Sequence, residues 1–320
     1  MIILIISYVL RLHDFSFKEF NSYAIMMMNR RNGGYWMKKY NIAGIHLAIH
    51  HLFDDYLKDN IEAYEISEHE KIDYTIECQL IHPIIEPQGQ NIISKSAYIY
   101  RDSKKMIVYN KKGQHIKQMI EYFHDESKIT ILIDPTLHPR PAEAEYIMLS
   151  MVFMEIAMKH RFISIHGAAI KFQEEAIIFS APSQTGKSTH ASYWDQMFSI
   201  EWINDDKPLI RYENDGFTVY GSPFSGKSKR NKNIHCPLRT IIFLKQGKTN
   251  HLSSLTDKEI FEELMINIMR PTEEKDWHLI IDDLNQLIKK VPIYRYEATH
   301  NNEAARILKS YLYQGESHES

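Results

Sequence analysis

Lys187, Ser188, Asp205, Asp206 and His166 are the residues of this chain whose types and spacing could do chemistry together. Gly186-Lys187-Ser188-Thr189 follows a short apolar run, Ile177-Ile178-Phe179, and the turn residues Ser180-Ala181-Pro182, and it opens a helix expected to run through Tyr193-Trp194. That order is strand, loop, helix. Backbone N–H groups of such a loop and of the first helical turn converge on one concavity, where they and the helix dipole favour an anion. Ala181, Pro182, Ser183, Gln184, Thr185, Gly186, Lys187, Ser188 and Thr189 are therefore expected to cradle nucleotide phosphates. Lys187 would reach the β- and γ-phosphates and the Ser188 hydroxyl would hold Mg²⁺. In the pattern G-x-x-x-x-G-K-[ST] the first place is Ala181 here, not Gly. The competing reading is an ordinary strand-to-helix turn capped by Ser or Thr.

Ile200 to Ile203 reads as a strand that stops at Asn204-Asp205-Asp206. Adjacent carboxylates at a strand end, shortly after a phosphate loop, are where a nucleotide enzyme keeps its metal and base groups; elsewhere such a pair is a solvated turn. His166 falls in the run Phe162 to Ile170, predicted as a strand pairing with Ala176 to Ser180 through Gln173-Glu174-Glu175. It would then lie one strand from the loop. A second Ser-Gly-Lys-Ser, Ser225 to Ser228, leads into the basic stretch Lys229 to Asn233 with no apolar helix behind it. It reads either as a mobile loop whose Lys227, Lys229 and Arg230 neutralise phosphate charge, or as a solvated charge run.

The elements that must position these groups fall into two parts. Residues 37–140 read as a β-rich N-terminal domain of structural or substrate-recognising role, with strands at 43–49, 73–81, 97–101, 106–109 and 129–133. Pro139-Arg140-Pro141 punctuates the chain, and Ala142 to His160 then reads as a buried helix whose methionines pack a core. Residues 141–313 read as the catalytic domain, with a buried strand at 238–246, helices at 257–269 and 277–289, a strand at 291–296 and a last helix at 301–313. The fold class expected is α/β (α+β), and residues 314–320 are expected to be a flexible tail.

Composition excludes several classes. The chain has 320 residues, room for two domains or one large one, with 44% apolar and 25% charged residues. A formal net charge of −3 gives no global attraction to nucleic acid or an anionic membrane. Cys78 and Cys236, the only cysteines, suggest neither a disulfide framework nor a cysteine zinc site, and a reducing cytoplasm fits best. The 17 histidines are scattered. Met1 to Leu12 is too short to span a bilayer and has no basic region before it. Met37 is an alternative start: if the codons of Gly33-Gly34 read GGA-GG, they would form a ribosome-binding sequence, and residues 1–36 would be an upstream extension of no structural role.

Taken together, His166-Gly167, the loop Ala181 to Ser188 and Asp205-Asp206 resemble the C-terminal domain of HPr kinase/phosphorylase, which shares its P-loop fold with phosphoenolpyruvate carboxykinase. The resemblance covers residues 160–250; GSPFSGK, LRTIIFLKQ and MRP are similar to HPr-kinase-like proteins found beside peptide-modification genes. It implies that Asp205 accepts the proton of an attacking hydroxyl, that Asp206 holds Mg²⁺ with Ser188, and that His166 lies beside Asp205 and tunes it. The chain departs from the family loop G-x-S-G-x-G-K-S at Ala181 and Gln184. The expected activity is transfer of the ATP γ-phosphate to a hydroxyl, foremost Ser or Thr of a peptide or small protein. A small-molecule alcohol as acceptor and a nucleotide-binding sensor or scaffold without turnover are the alternatives. No nucleic acid or membrane partner is expected, and a homo-oligomer is left open.

Overall fold

The computed structural model describes residues 37–67, 70–94, 97–124, 127–182, 185–226, 228–272 and 276–314. These form a mixed α/β chain with two β-sheets and six α-helices. They divide into two compact units: the first holds 37–40, 46–56 and 67–148, the second Asn41–Ile45, Leu57–Ile66 and the chain from Leu149 on.

The first sheet has eight strands. In chain order the elements are β1 (Lys38–Ile42), β2 (Ile45–His50), helix α1 (Asp54–Ile61), β3 (Tyr74–Leu80), β4 (Asn91–Ser94), β5 (Ala97–Arg101), β6 (Lys105–Lys112), β7 (His115–Phe123) and β8 (Lys128–Ile133), and the strand order is β1-β2-β3-β8-β7-β6-β5-β4. The expected strand at 43–49 begins later, because Ala43 and Gly44 have φ of 54° and 83° and make the turn between β1 and β2. Two successive positive φ values are what a tight hairpin requires. β7, missing from the sequence reading, pairs along its whole length with β6 and buries Ile116, Met119 and Ile120. Its polar outer face, with Lys117, Gln118 and Glu121, hid it.

Helix α2 (Pro141–Lys159) buries Met148, Met154 and Met158 but leaves Met151 exposed. The second sheet follows: β9 (Phe162–Ser164), β10 (Gly167–Phe172), β11 (Glu175–Ser180), helix α3 (Lys187–Met197), β12 (Glu201–Asn204), β13 (Leu209–Glu213), β14 (Gly216–Tyr220), β15 (His235–Gln246), β16 (His251–Ser254), helices α4 (Asp257–Asn267) and α5 (Trp277–Lys290), β17 (Ile293–Ala298) and helix α6 (Asn302–Leu312). β15 joins two branches. Its start pairs with β14, which continues through β13 to β9; its end lies parallel to β11 on one side and β17 on the other, and β11 continues through β10 to β12.

β11 is covered on both faces, and Ala176 to Ser180 have no exposed surface. Ile177 and Phe179 face Trp194 of α3 and Ala304, Ala305 and Leu308 of α6. Ile178 faces the opposite way, toward Ile260 and Leu264 of α4 and Ile280 and Leu284 of α5. An apolar run on both sides of the pleat is the mark of a strand buried between two helical layers. No helix among the described residues is long and apolar enough to cross a membrane.

Candidate functional site

The loop between β11 and α3 starts from this rigid strand. β10 and β11 form a hairpin whose turn, Gln173-Glu174, has φ of 48° and 64°. At the other end of β11 the chain leaves the sheet at Ala181 and enters α3 at Gly186, the N-cap, in the left-handed region with φ 101°. A glycine tolerates that conformation without strain. No side chain caps the helix, so the reading of a Ser- or Thr-capped turn does not apply to the described residues. Ser183 and Gln184 lie outside them; Ser188 and Thr189 are exposed on the first turn, and Lys187 is buried.

Lys187 folds back over the loop. Its ammonium donates to the backbone oxygens of Ala181 at 2.8 Å and Pro182 at 3.3 Å, and to His166 Nε2 at 2.9 Å. Three donors meet three acceptors. Burial lowers the Lys187 pKa from its ordinary value, opposed by the charge of Asp206.

The run Phe162 to Ile170 is two strands, not one. β9 pairs with β13 and β10 with β11 and β12, and His166 occupies the break between them. Its N–H donates to Asn267 O at 2.7 Å, its carbonyl accepts from Ser180 Oγ at 2.9 Å, and the next residue's N–H donates to Asp206 O at 3.0 Å. Gly167 fits a tight place here: a Cβ would stand 3.0 Å from both Ile178 Cγ2 and Phe179 O, which would have to give way. Backbone bonds on both sides thus aim the imidazole.

The imidazole meets Asp206. His166 Nδ1 lies 3.0 Å from Asp206 Oδ1, and Lys207 Nζ lies 3.0 Å from Asp206 Oδ2. This corrects the expectation that His166 stands beside Asp205. Because Nε2 accepts from Lys187, the ring proton sits on Nδ1 and is donated to Asp206. Burial pushes the Asp206 carboxyl up, yet the His166 hydrogen bond and Lys207 together outweigh it and hold the group well below the usual carboxylate range.

Asp205 turns the other way and is buried, 5% exposed. Its Oδ1 accepts from Gly226 N at 2.6 Å and its Oδ2 from the Ser228 hydroxyl. The divergence follows from Asn204, which the sequence reading passed over. Asn204 Oδ1 accepts from Asp206 N at 2.8 Å and Lys207 N at 2.6 Å, while Nδ2 donates to Ser222 O at 2.9 Å and Phe224 O at 3.3 Å. Its side chain closes a turn of the kind Asn favours, at the strand end where the two carboxylates part.

Residues 221–226 and 228–233 are strapped down instead of lying free. Gly221 N donates to Ile234 O and Lys232 N to Ile203 O, and Asn231 bridges Asn204. Asn60 Nδ2 holds Pro223 O and Ser225 Oγ. Arg230 lies over the Trp202 ring at 4.3 Å and donates to Ser192 Oγ at 2.9 Å on α3. Lys229 is paired with Asp59 at 2.9 Å, and Lys227 lies outside the described residues.

Two clefts flank the loop. One of about 430 Å³ is lined by Ala181, Pro182, Thr185, Lys245 and Arg295; the other, about 390 Å³, by Gly186, His190, Tyr193 and His300. Both fall in the range of small-molecule sites, about 300–1,000 Å³. Among the described residues no three His, Cys, Asp or Glu converge as a metal site of their own.

The chain matches no known family profile, and no curated protein matches it. Among solved structures it is similar to the Hpr(Ser) kinase/phosphatase from Coxiella burnetii, at 12% identity and a TM-score of 0.26, over 48% of this chain and 95% of that one.

Proposed function

We propose that the chain is an ATP-dependent kinase whose residues 141–313 form an HPr-kinase-like P-loop domain, with residues 37–140 as the β-rich N-terminal domain, and that it transfers the γ-phosphoryl group to a Ser or Thr hydroxyl of a peptide or small protein. The observation that carries this reading is the line Lys187, His166, Asp206 beside Asp205, where a buried strand passes through a glycine-capped loop into a helix.

Each residue then has a task. Lys187 leaves the Ala181 and Pro182 carbonyls for the phosphates, which are better acceptors because they are charged. The first-turn N–H groups of α3 receive the phosphate oxygens. Asp205, buried and already holding a hydroxyl, takes the acceptor's proton. Most of the catalysis in such a site comes from positioning and charge stabilisation. Mg²⁺ takes one or two carboxylates plus substrate phosphates and water, so the ionised Asp206 and the exposed Ser188 hydroxyl suit it. When bound, Mg²⁺ neutralises charge on the β- and γ-phosphates.

The test is transfer of label from γ-labelled ATP into an extract of the source cells, with Lys187→Ala and Asp205→Asn proteins as controls. A labelled peptide or protein that disappears with both variants supports the reading. Label in a small-molecule alcohol would move the acceptor class. Tight Mg-ATP binding with no labelled product would favour a sensor.

A further inference from the structure

We propose that the protein phosphorylates its own Ser228. This rests on the kinase reading above and names one acceptor for it. The Ser228 hydroxyl already donates to Asp205, the residue assigned the acceptor's proton. Ser228 is an exposed residue at the surface end of this contact, so a phosphoryl donor can approach it from solvent.

The backbone presents it. Lys229 N donates to Gly226 O at 3.1 Å, and Lys229 has φ 51°, so the chain turns tightly and Ser228 sits in the turn. One end of the turn is pinned at the base, where Gly226 N donates to Asp205 Oδ1 at 2.6 Å. A Cβ on Gly226 would stand 3.3 Å from that carboxylate, so a larger residue would crowd it. The far end is pinned to the phosphate-loop helix: Arg230 donates to Ser192 Oγ, which itself donates to Ser188 O at 2.7 Å. The segment therefore runs from the candidate base to the first turns of α3. A peptide acceptor would have to displace Ser228 from Asp205, whereas Ser228 is in place without any ordering cost.

The step balances as an ordinary phosphoryl transfer. The Ser228 Oγ–H proton goes to the Asp205 carboxylate, Oγ forms a bond to the γ-phosphorus of a Mg²⁺-bound nucleoside triphosphate, and the bond from that phosphorus to the bridging oxygen breaks. The nucleoside diphosphate leaves with the electron pair. No other reactant is needed.

The experiment uses the full chain with Mg-ATP, maps phosphate by mass spectrometry, and follows nucleotide binding in parallel with a fluorescent ATP analogue. Phosphate on Ser228 is expected, at a rate per molecule independent of protein concentration. Ser228→Ala should lose that label, Ser228→Thr should carry it on the new threonine, and Asp205→Asn should lose it while still binding the analogue. Nucleotide binding with Ser228 unmodified overturns this proposal alone, as does label that persists elsewhere at full yield in Ser228→Ala. A rate that rises in proportion to protein concentration overturns transfer within one chain. Absence of nucleotide binding overturns both this proposal and the kinase reading.

Discussion

Lys187 donates to His166 Nε2 at 2.9 Å, which obliges His166 to carry its proton on Nδ1, facing Asp206 at 3.0 Å. The Lys187 ammonium and the Asp206 carboxylate are thus coupled through one imidazole. If Lys187 moves to a phosphate as proposed, Nε2 would be freed while the Nδ1–H bond would still orient Asp206.

His166→Ala should act through Asp206. The carboxylate keeps Lys207 but loses the bond that orients it. Loss of a partner behind a metal ligand typically weakens affinity or activity by about 10–100-fold. The Mg²⁺ concentration for half-maximal transfer should rise by about that factor, with ATP affinity in the absence of metal little changed. An unchanged Mg²⁺ dependence would detach His166 from the site.

Lys187→Ala removes an ammonium that donates to two carbonyls of the loop. Transfer should fall by about 100–1,000-fold, the scale for deleting one preorganised donor from a transition state. The fold should survive, because the lysine's present partners are two loop carbonyls and an imidazole near solvent, not a core contact. Steady-state transfer and a circular-dichroism melt check the two halves.

Asp206→Asn has a signature in pH. The folded-state pKa of Asp206 is depressed below its ordinary 3.8, so its charged form contributes stability above that value and loses it as pH falls toward the folded value. Wild type should exceed the variant in denaturant stability by a constant margin at neutral pH. Between pH 3.8 and more acid conditions the margin should shrink. A margin that widens with acid would reverse the sign and refute the arrangement. Glu145 provides the opposite case in the first unit. Burial pushes its carboxyl up to about 7 despite hydrogen bonds from Leu52 N, the Cys78 thiol and Phe53 N. Its contribution is present below its ordinary 4.5 and is lost as pH rises through about 7, so Glu145→Gln should flatten the stability profile across that range.

What the sequence made legible was local. Ile177-Ile178-Phe179 announced a buried strand and Gly186-Lys187 a loop entering a helix, because apolar runs and glycine punctuation depend on near neighbours. The break at Ile165-His166 was invisible. Both halves of that run are apolar, and only pairing with β13 on one side and β11 on the other separates them. The swap of His166 from Asp205 to Asp206 has the same origin, since Asn204 turns the two carboxylates apart through bonds to Ser222 and Phe224, distant in sequence. β7 and α1 were missed because their outer faces are polar enough to read as loop.

Two glycines separate stability from binding, and they give the last prediction. At Gly221 a Cβ would lie 1.9 Å from Lys232 O, a backbone atom held in place by the neighbouring Lys232 N bond to Ile203 O. Gly221→Ala must therefore part the strap at its root. A loss of about 2 kcal/mol or more is expected, in the class of changes that break a packed backbone. With the strap go the Ser222 and Phe224 carbonyls that fix Asn204, so the turn holding Asp205 and Asp206 loosens and transfer falls as well. At Gly186 a Cβ would meet nothing within 4 Å, and the only penalty is the left-handed φ of 101°. That strain costs about 1–2 kcal/mol for an L side chain. It can be relieved only by rotating the peptide that opens α3, which re-aims the first-turn N–H groups. Gly186→Ala should therefore cost less stability than Gly221→Ala but lose more nucleotide affinity for each kcal/mol of stability lost. Denaturant unfolding and ATP-analogue titration of the two variants measure both quantities, and the same ratio of affinity to stability loss in both would show that Gly186 has no part in receiving phosphate.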